Sequence, residues 1–426
     1  MQRAFHIAVT FCLFFLLCAA RVRAGGWDNG IIGPRAAAMG TAFTGLSDDP
    51  SAIFYNAAGI SLLEHPQGIS ASVRYNATYL KYRPLGGDES ERSFMMGVIP
   101  DIFYYRQFST RLGTISAGIG VCVPYGGEAG AWAPEVFGVD MNQFMVIGSA
   151  TPSVSWALTP RLSIGVGLNI YMGFMKSRQI FDRIPLGLFL PNPPIQYAPL
   201  KLDQKFYAKG FPIGYNIGVL YKPLQKLSVG VAMRSGADVT LKGPSDLVVY
   251  LADPLALYIH SDLTIEFKLP YLVVAGVAYR PLPNLVLVGD VQYNGWGRLS
   301  DLKLTFEQLH FTQVSRTGYK DTVKFMIGGE YTFLTHYSLR LGYMYTPSSL
   351  GDRGLLSYQS WDTHMHNFSV GFGYSWGTFS LYAIAMVSPG TWSVKNVSDP
   401  NDPVGKPAGE YTIFNQTYGV GCLWYF

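Results

Sequence analysis

Apolar side chains recur at every second position through most of this chain. In TISAGIGVCVPYG, Ile115, Ala117, Ile119, Val121 and Val123 share one parity, while Thr114, Ser116, Gly118 and Gly120 hold the other. LSIGVGLNIYMGF repeats the division: Leu162, Ile164, Val166, Leu168, Ile170, Met172 and Phe174 stand against Ser163, Gly165, Gly167 and Asn169. Successive side chains of a strand point to opposite faces, so a period of two sustained over about ten residues predicts long strands with one apolar face. The pattern predicts about fourteen, over 68–80, 92–108, 112–124, 143–159, 161–177, 206–222, 226–242, 262–280, 284–296, 322–334, 337–346, 364–376, 378–390 and 411–426.

The connections sort by parity. LTPRL, KPLQK, RPLPN, FLTHY and SWGTF are short, whereas 81–91, 125–142, 178–205, 243–261, 297–321, 347–363 and 391–410 are long. Tight turns at one end and extended loops at the other mark a bacterial outer-membrane barrel. A secreted β-sandwich also alternates, but has no reason to sort its loops. Beyond the N-terminus no uninterrupted apolar run is long enough for a membrane helix. The expected fold is therefore all-β, a transmembrane antiparallel β-barrel of about 14 strands.

Composition agrees with a lipid-facing surface. Charged residues are 14% and aromatics 15% of the 426, and mean hydropathy is +0.16. The formal net charge of +4 is spread without a basic stripe, so a nucleic-acid partner is not expected. Residues 1–24 read as a signal peptide, with Arg3 ahead of an apolar stretch and Val22-Arg23-Ala24 as cleavage site. A lipoprotein reading would use Cys18, but Leu17 is bulky for that processing. Cys12 and Cys18 leave with the signal, and Cys122 and Cys422 are expected to be free thiols. The C-terminal YGVGCLWYF alternates up to Phe426, which places Trp424, Cys422, Val420 and Tyr418 on one face with it and looks like the signature read by barrel assembly machinery.

Residues 25–67 precede the first strand and have neither period. Their GLSDDPSAIFYNAAGIS is rich in small and turn-forming residues, and a barrel of fourteen strands leaves a lumen that needs filling. This segment is read as an N-terminal hatch or plug ahead of the barrel proper, 68–426. Ile53, Phe54 and Tyr55 supply apolar contacts there, either as packing or toward a substrate.

RAAAMGTAFTGLSDDPSAIFYNAAGIS resembles the hatch of the outer-membrane long-chain fatty acid transporter family, the FadL-like proteins that include aromatic-hydrocarbon transporters. TPSVSWALTPRLSIGVGLNIY, GFPIGYNIGVLYKPLQKLSVGVAMRSGADVTLKG, KLPYLVVAGVAYRPLPNLVLVGDVQYNGWGRLSDLKLTF and MHNFSVGFGYSWGTFSLYAIAM continue the resemblance in order along nearly all of the mature chain. One departure stands out: the family's Asn-Pro-Ala is Asn56-Ala57-Ala58 here, which removes a fixed φ and restores an N–H donor. The resemblance implies passive uptake of a hydrophobic small molecule, fatty acid or hydrocarbon, captured outside and released sideways through the barrel wall into the outer membrane.

Capture from water needs apolar surface on external loops, which are ordinarily polar. Ile184, Leu186, Leu188, Phe189 and Leu190 in loop 178–205, with Val248, Val249, Leu251, Leu255 and Leu257 in loop 243–261, are the expected groove; the bland alternative is a lid packed on itself. A carboxylate end would call for a cation, and Lys176, Arg178 and Arg35 are the candidates. In the family a kink in the third strand makes the lateral opening; Pro124, which cannot donate to a neighbour, with Gly126 and Gly127, stands at that place or merely begins the next loop. No nucleophile elbow, P-loop or dinucleotide motif occurs, so no enzyme activity and no cofactor are expected. His364 and His366 beside Asp362 lack a third ligand at a suitable spacing, so no metal is expected. Besides the transporter, a scaffold or secretion-partner barrel and, more remotely, an outer-membrane lipase remain open readings. A plugged closed barrel can work as a monomer.

Overall fold

A computed structural model describes residues 28–84, 91–129, 139–181, 184–185, 197–198, 200–252, 255–349, 363–394 and 409–426. Nine strands run unbroken: β1 (Gln67–Pro84), β2 (Glu91–Thr110), β3 (Gly113–Ala129), β4 (Val139–Thr159), β5 (Leu162–Phe181), β11 (Tyr337–Thr346), β12 (Met365–Trp376), β13 (Phe379–Val394) and β14 (Gly409–Tyr425). Five are each interrupted once: β6 (Lys201–Gly210, Ile213–Leu224), β7 (Leu227–Arg234, Asp238–Ala252), β8 (Leu255–Lys268, Leu272–Leu282), β9 (Leu285–Asn294, Asp301–Phe306) and β10 (Phe311–Arg316, Thr322–Phe333). All are antiparallel to their neighbours, and β14 pairs with β1 from Gly68↔Tyr425 to Pro84↔Gly409, so a fourteen-stranded sheet closes on itself. Closure gives the ladder groups partners around the ring, as the hydrocarbon interior of a bilayer demands, except along one stretch between β2 and β3.

The apolar parity faces outward. On β5, Ile164, Val166, Leu168 and Ile170 are exposed, while Ser163, Gly165, Gly167 and Asn169 are buried in the lumen. From Leu162 to Phe174 this stripe runs about 40 Å along the strand at about 3.3 Å per residue, and a tilt of about 45° reduces that to roughly the height of an outer-membrane apolar band. At the other end of the sheet Tyr418, Val420, Trp424 and Phe426 share the outer face, as their spacing predicts.

Two of the expected long loops are strand instead. Residues 243–261 belong mostly to β7 and β8, which pair from Asp238↔Lys268 to Ala252↔Leu255, and residues 297–321 include the upper parts of β9 and β10, joined at Glu307–His310. Their aliphatic and aromatic content reads equally as extended hairpin, and cross-strand pairing satisfies backbone groups that a loop would leave to water. The barrel therefore projects above the apolar band over β6–β10. The interruptions in these five strands lie at one level, where Arg234 faces Leu272, and Leu272 faces Asn294, which faces Thr322. Pro212 and Pro270 lie in two of these gaps, and neither can donate to a ladder; a 3₁₀ turn, Trp296–Arg298, occupies a third.

Residues 28–66 cross the lumen below this level. They fold as α1 (Pro34–Ala38), α2 (Ala52–Tyr55) and a 3₁₀ turn, Ala57–Ser61, each about one turn long and too short to persist on its own hydrogen bonds without the wall. Nearly every residue from Ile32 to Ser61 is buried. Cys122 and Cys422 are free thiols.

Candidate functional site

The N-terminal segment touches the wall through backbone. Gly165, Gly218, Gly230, Gly276, Gly328, Gly342 and Gly371 all lie on the inward parity, and a Cβ at any of them would collide with residues 38–58: Gly165 with the Ala57–Ala58 backbone, Gly276 with Gly45, Gly342 with Met39 and Gly40. Small residues on this parity let one chain lie against another. Asn56 ties the segment both to itself and to the barrel, its amide donating to the carbonyls of Thr44 (3.2 Å) and Val219 (3.0 Å) while its Oδ1 accepts from Ala58 N–H (3.2 Å). Ala57 stands at the first position of the 3₁₀ turn, a place that also tolerates proline, so the departure from Asn-Pro-Ala leaves the Asn56 cap in place.

Charge fixes the other side. Arg35 donates to Glu330 from Nε (2.8 Å) and Nη2 (2.9 Å) and to Asp48 from Nη1 (2.5 Å). Arg340 donates to the same Glu330 (2.6 Å), and Arg280 to Asp48 (3.0 Å). Burial pushes the Asp49 carboxyl above its usual range, against the Arg35 charge and two hydrogen bonds from Ser51. Asp290 Oδ2 accepts the N–H groups of Phe43 (3.0 Å) and Thr44 (2.8 Å).

Above this seam the lumen changes character. Tyr171, Met175, Phe206, Leu241, Ile265 and Phe267 belong to one apolar cluster contributed by strands on all sides. Over the N-terminal segment lies a small cavity of about 60 Å³. Leu272, Val274, Met326 and Met344 form its apolar side, and Arg234, Lys324, Asp28 and Asp290 its polar side. Arg234 donates to the Phe54 carbonyl (2.7 Å) and lies 3.9 Å over the Phe54 ring, so this cation is held at the cavity margin by a hydrogen bond and a cation–π contact.

The ladder of the barrel wall is interrupted where the first residues of the N-terminal segment meet it. The β2–β3 ladder runs only from Thr110↔Gly113 to Ile102↔Val121. Beyond it β3 pairs with β4 alone, across a register shift between Cys122 and Tyr125 that contains Pro124, and Gly126 follows at φ +143°. Pro124 therefore lies inside a kinked strand rather than at the start of a loop, with Gly126 and Gly127 continuing the strand against Val146 and Met145. The shift turns Tyr125 into the lumen, where it approaches Tyr171 at 6.3 Å between ring centroids. Residues 28 and 29 bond to the freed edge: Asp28 bridges Tyr125, and Asn29 donates from its backbone to the Pro124 carbonyl (2.8 Å) and from its side chain to that of Val123 (2.9 Å). Lys324 pairs with Asp28 from the far wall.

The structure separates several residues the sequence grouped together. Val248 and Val249 are half-buried neighbours on β7 with opposite parities; Val249 faces Leu257 across the β7–β8 ladder and Val248 faces Tyr258. Leu255 and Leu257 are exposed, and Leu251 is part of β7. Ile184 joins a two-residue ribbon with Ala198, and Leu186, Leu188, Phe189 and Leu190 lie outside the described residues. Lys176 and Arg178 follow the outward parity of β5 and so do not point into the lumen; Arg178 bonds Asp203 (2.8 Å) instead. Arg35 is in the lumen, but its guanidinium is committed to Asp48 and Glu330. Ile53 packs against Phe103 and Cys122, and Tyr55 donates to the Ile32 carbonyl (2.7 Å). His364 and His366 lie on the outer face, bonded to Tyr345 (2.9 Å) and Tyr343 (2.8 Å).

Arg234, Asp290, Lys324, Glu330 and Arg340 were missed by sequence reasoning. Each is a charged residue on the parity opposite the exposed apolar side chains of an alternating strand, as in VLVGDVQY or IGGEYTF. A charge there faces the lumen and needs a partner, which is the signal that could have found them.

Residues 23–383 match the family model described as outer membrane protein transport protein (OMPP1/FadL/TodX). Outer membrane protein NMB0088 of Neisseria meningitidis serogroup B is 23% identical over 370 residues, 78% of each chain. Among solved structures, a Pseudomonas aeruginosa FadL homologue superposes with a TM-score of 0.79 at 18% identity, over 96% of this chain and all of that one. The Pseudomonas putida toluene transporter TodX superposes with a TM-score of 0.71 at 16% identity, over 93% of this chain and 98% of that one. Taken with the closed fourteen-stranded barrel, the match across most of its length makes this chain a member of the OMPP1/FadL/TodX family of outer-membrane channels for hydrophobic compounds.

Proposed function

We propose that the protein takes up long-chain fatty acids or comparable hydrophobic molecules passively, as a monomeric channel without enzymatic activity, and releases them sideways through the wall between β2 and β3. The observation that carries this reading is the stretch of β3 that β2 leaves without a partner strand, its edge held by residues 28–29, which also line the luminal cavity. The upper lumen and one side of that cavity are apolar. An apolar solute gains about 0.8 kcal/mol per methylene buried along such a path. It leaves where the ladder is already interrupted, so no strand pair has to break.

Val249, Leu255 and Leu257 share the lumen-side parity at the top of the path and serve as the entry surface, with Val248 on the other face. Arg234 serves as the partner for a carboxylate, in place of Lys176, Arg178 or Arg35. Barrel assembly through Phe426 and cleavage after Ala24 belong to the same reading.

Uptake of radiolabelled oleate and toluene by cells lacking their own transporter tests it, after insertion is verified by heat-modifiable mobility. The parent protein raises oleate uptake, and Arg234→Gln lowers it by about tenfold, the worth of one hydrogen bond to a charged group, while leaving toluene unchanged. Uptake of neither compound by a correctly inserted barrel would sink the transport reading in favour of a scaffold role.

A further inference from the structure

The outer face of β5, β6 and β7 carries an unusual concentration of cations just above the apolar band. Lys176, Arg178, Lys205, Lys209 and Lys242 are all exposed there. The register sets like charges directly opposite one another, Arg178 against Lys205 and Lys209 against Lys242. Lys176 stands opposite Tyr207, and is therefore diagonal to both Lys205 and Lys209. Directly opposed like charges destabilise a sheet when nothing lies between them.

Acids on the same face offset part of this charge, among them Asp262 and Glu266 on β8, diagonal to Lys242. Asp203 takes Arg178, and Asp246, across the ladder from Lys205, bonds His260 (2.8 Å). Among the described residues Lys176, Lys205, Lys209 and Lys242 form no ion pair. The β11–β13 sector shows the contrast, since the outward residues of β13 from Leu381 to Ser393 include no charged side chain.

Beneath the lysines the surface becomes aromatic, then aliphatic. Phe174 and Tyr207 meet edge to face at 4.7 Å, and Phe211 and Ile213 follow on β6 at 69% and 63% exposure. The order from outside to the membrane middle is cation, aromatic, aliphatic. An anionic lipid has the matching order of phosphate, backbone and acyl chain.

We propose that this face binds the phosphorylated headgroup of an outer-leaflet glycolipid, with Lys176, Lys205, Lys209 and Lys242 around the phosphates and an acyl chain along Phe211 and Ile213. The site lies on the lipid side of the wall and is independent of what passes through the lumen. Bound phosphate screens the Lys209–Lys242 repulsion, so the lipid also steadies β6 and β7 beside their interruptions.

The test uses the full-length barrel in phosphatidylcholine nanodiscs doped with bisphosphorylated lipid A, with the same lipid after enzymatic dephosphorylation, or with inorganic phosphate in the buffer. Retained glycolipid is quantified by mass spectrometry and the unfolding midpoint by heat-modifiable mobility. Lipid A is retained and raises the midpoint, and each lysine changed to glutamine weakens retention about fivefold. Lys303→Gln, outside the patch, serves as the folding control and retains the lipid. Equal retention of the dephosphorylated lipid, an equal effect of free phosphate, or undiminished retention by the fourfold Lys→Gln variant would each overturn the proposal.

Discussion

The lower and upper halves of this lumen are built from the same fourteen strands yet solve opposite problems. The lower half is lined by glycine, serine and paired charges, and the N-terminal segment fits it backbone to backbone. The upper half is lined by Leu, Ile, Phe, Tyr and Met, and no segment among the described residues fills it in that way. The difference teaches that filling and binding need different walls. A plug must lose hydration of its peptide groups, so it needs polar partners such as Asn56, Asp290 and Ser163. A passing hydrophobe needs area without fixed partners, since specific hydrogen bonds would arrest it.

Breaking the lower half should have the largest effect. Glu330→Gln leaves Arg35 and Arg340 facing each other without their shared carboxylate, a loss of about 3–5 kcal/mol for a broken buried pair. The expected outcome is an ion leak in planar bilayers and protease access to the N-terminal segment; a silent bilayer would mean that Asp48 and Asp49 suffice to retain Arg35. Gly276→Val places a side chain on the Asp290 carboxylate and the Gly45 backbone and should cost about 1–3 kcal/mol as overpacking, seen as intermittent conductance with barrel assembly intact.

Asp290→Asn keeps an acceptor but removes its charge, so amide exchange at Phe43 and Thr44 should rise about fivefold, equivalent to about 1 kcal/mol. The smallest effect sharpens the contrast from the other side. Leu241→Ala, in the upper wall, should leave conductance at the parental level and weaken binding of a fluorescent fatty acid about fourfold, the worth of about one methylene of lost contact, about 0.8 kcal/mol. A leak from this variant would show that the two halves are not separable.

These distinctions were legible in the sequence to different depths. Alternation in residues 162–174 gives strand, lipid-facing side and lumen side together, because a period of two is a local property of the backbone. The inward glycines were visible in the same stretch, although their role as contacts for residues 38–58 was not. Lys176 and Arg178 show the limit of reasoning by position. They lie near the expected place along the strand, but their parity turns them to the outside. The apolar content of 243–261 likewise cannot say loop or strand, since Val, Leu and Tyr suit both until a partner strand is present.

The sequence by itself determined that this is an outer-membrane barrel with a distinct N-terminal segment, because amphipathic strands of this length admit few other solutions in lipid. The tertiary structure decided which charges meet, where the β2–β3 ladder stops and how far β7 and β8 extend. Arg35 and Glu330 are separated by most of the chain, and only the closure and register of the barrel bring them to 2.8 Å. Partnership across a sheet is set by register, and register is a property of the whole ring rather than of any one strand.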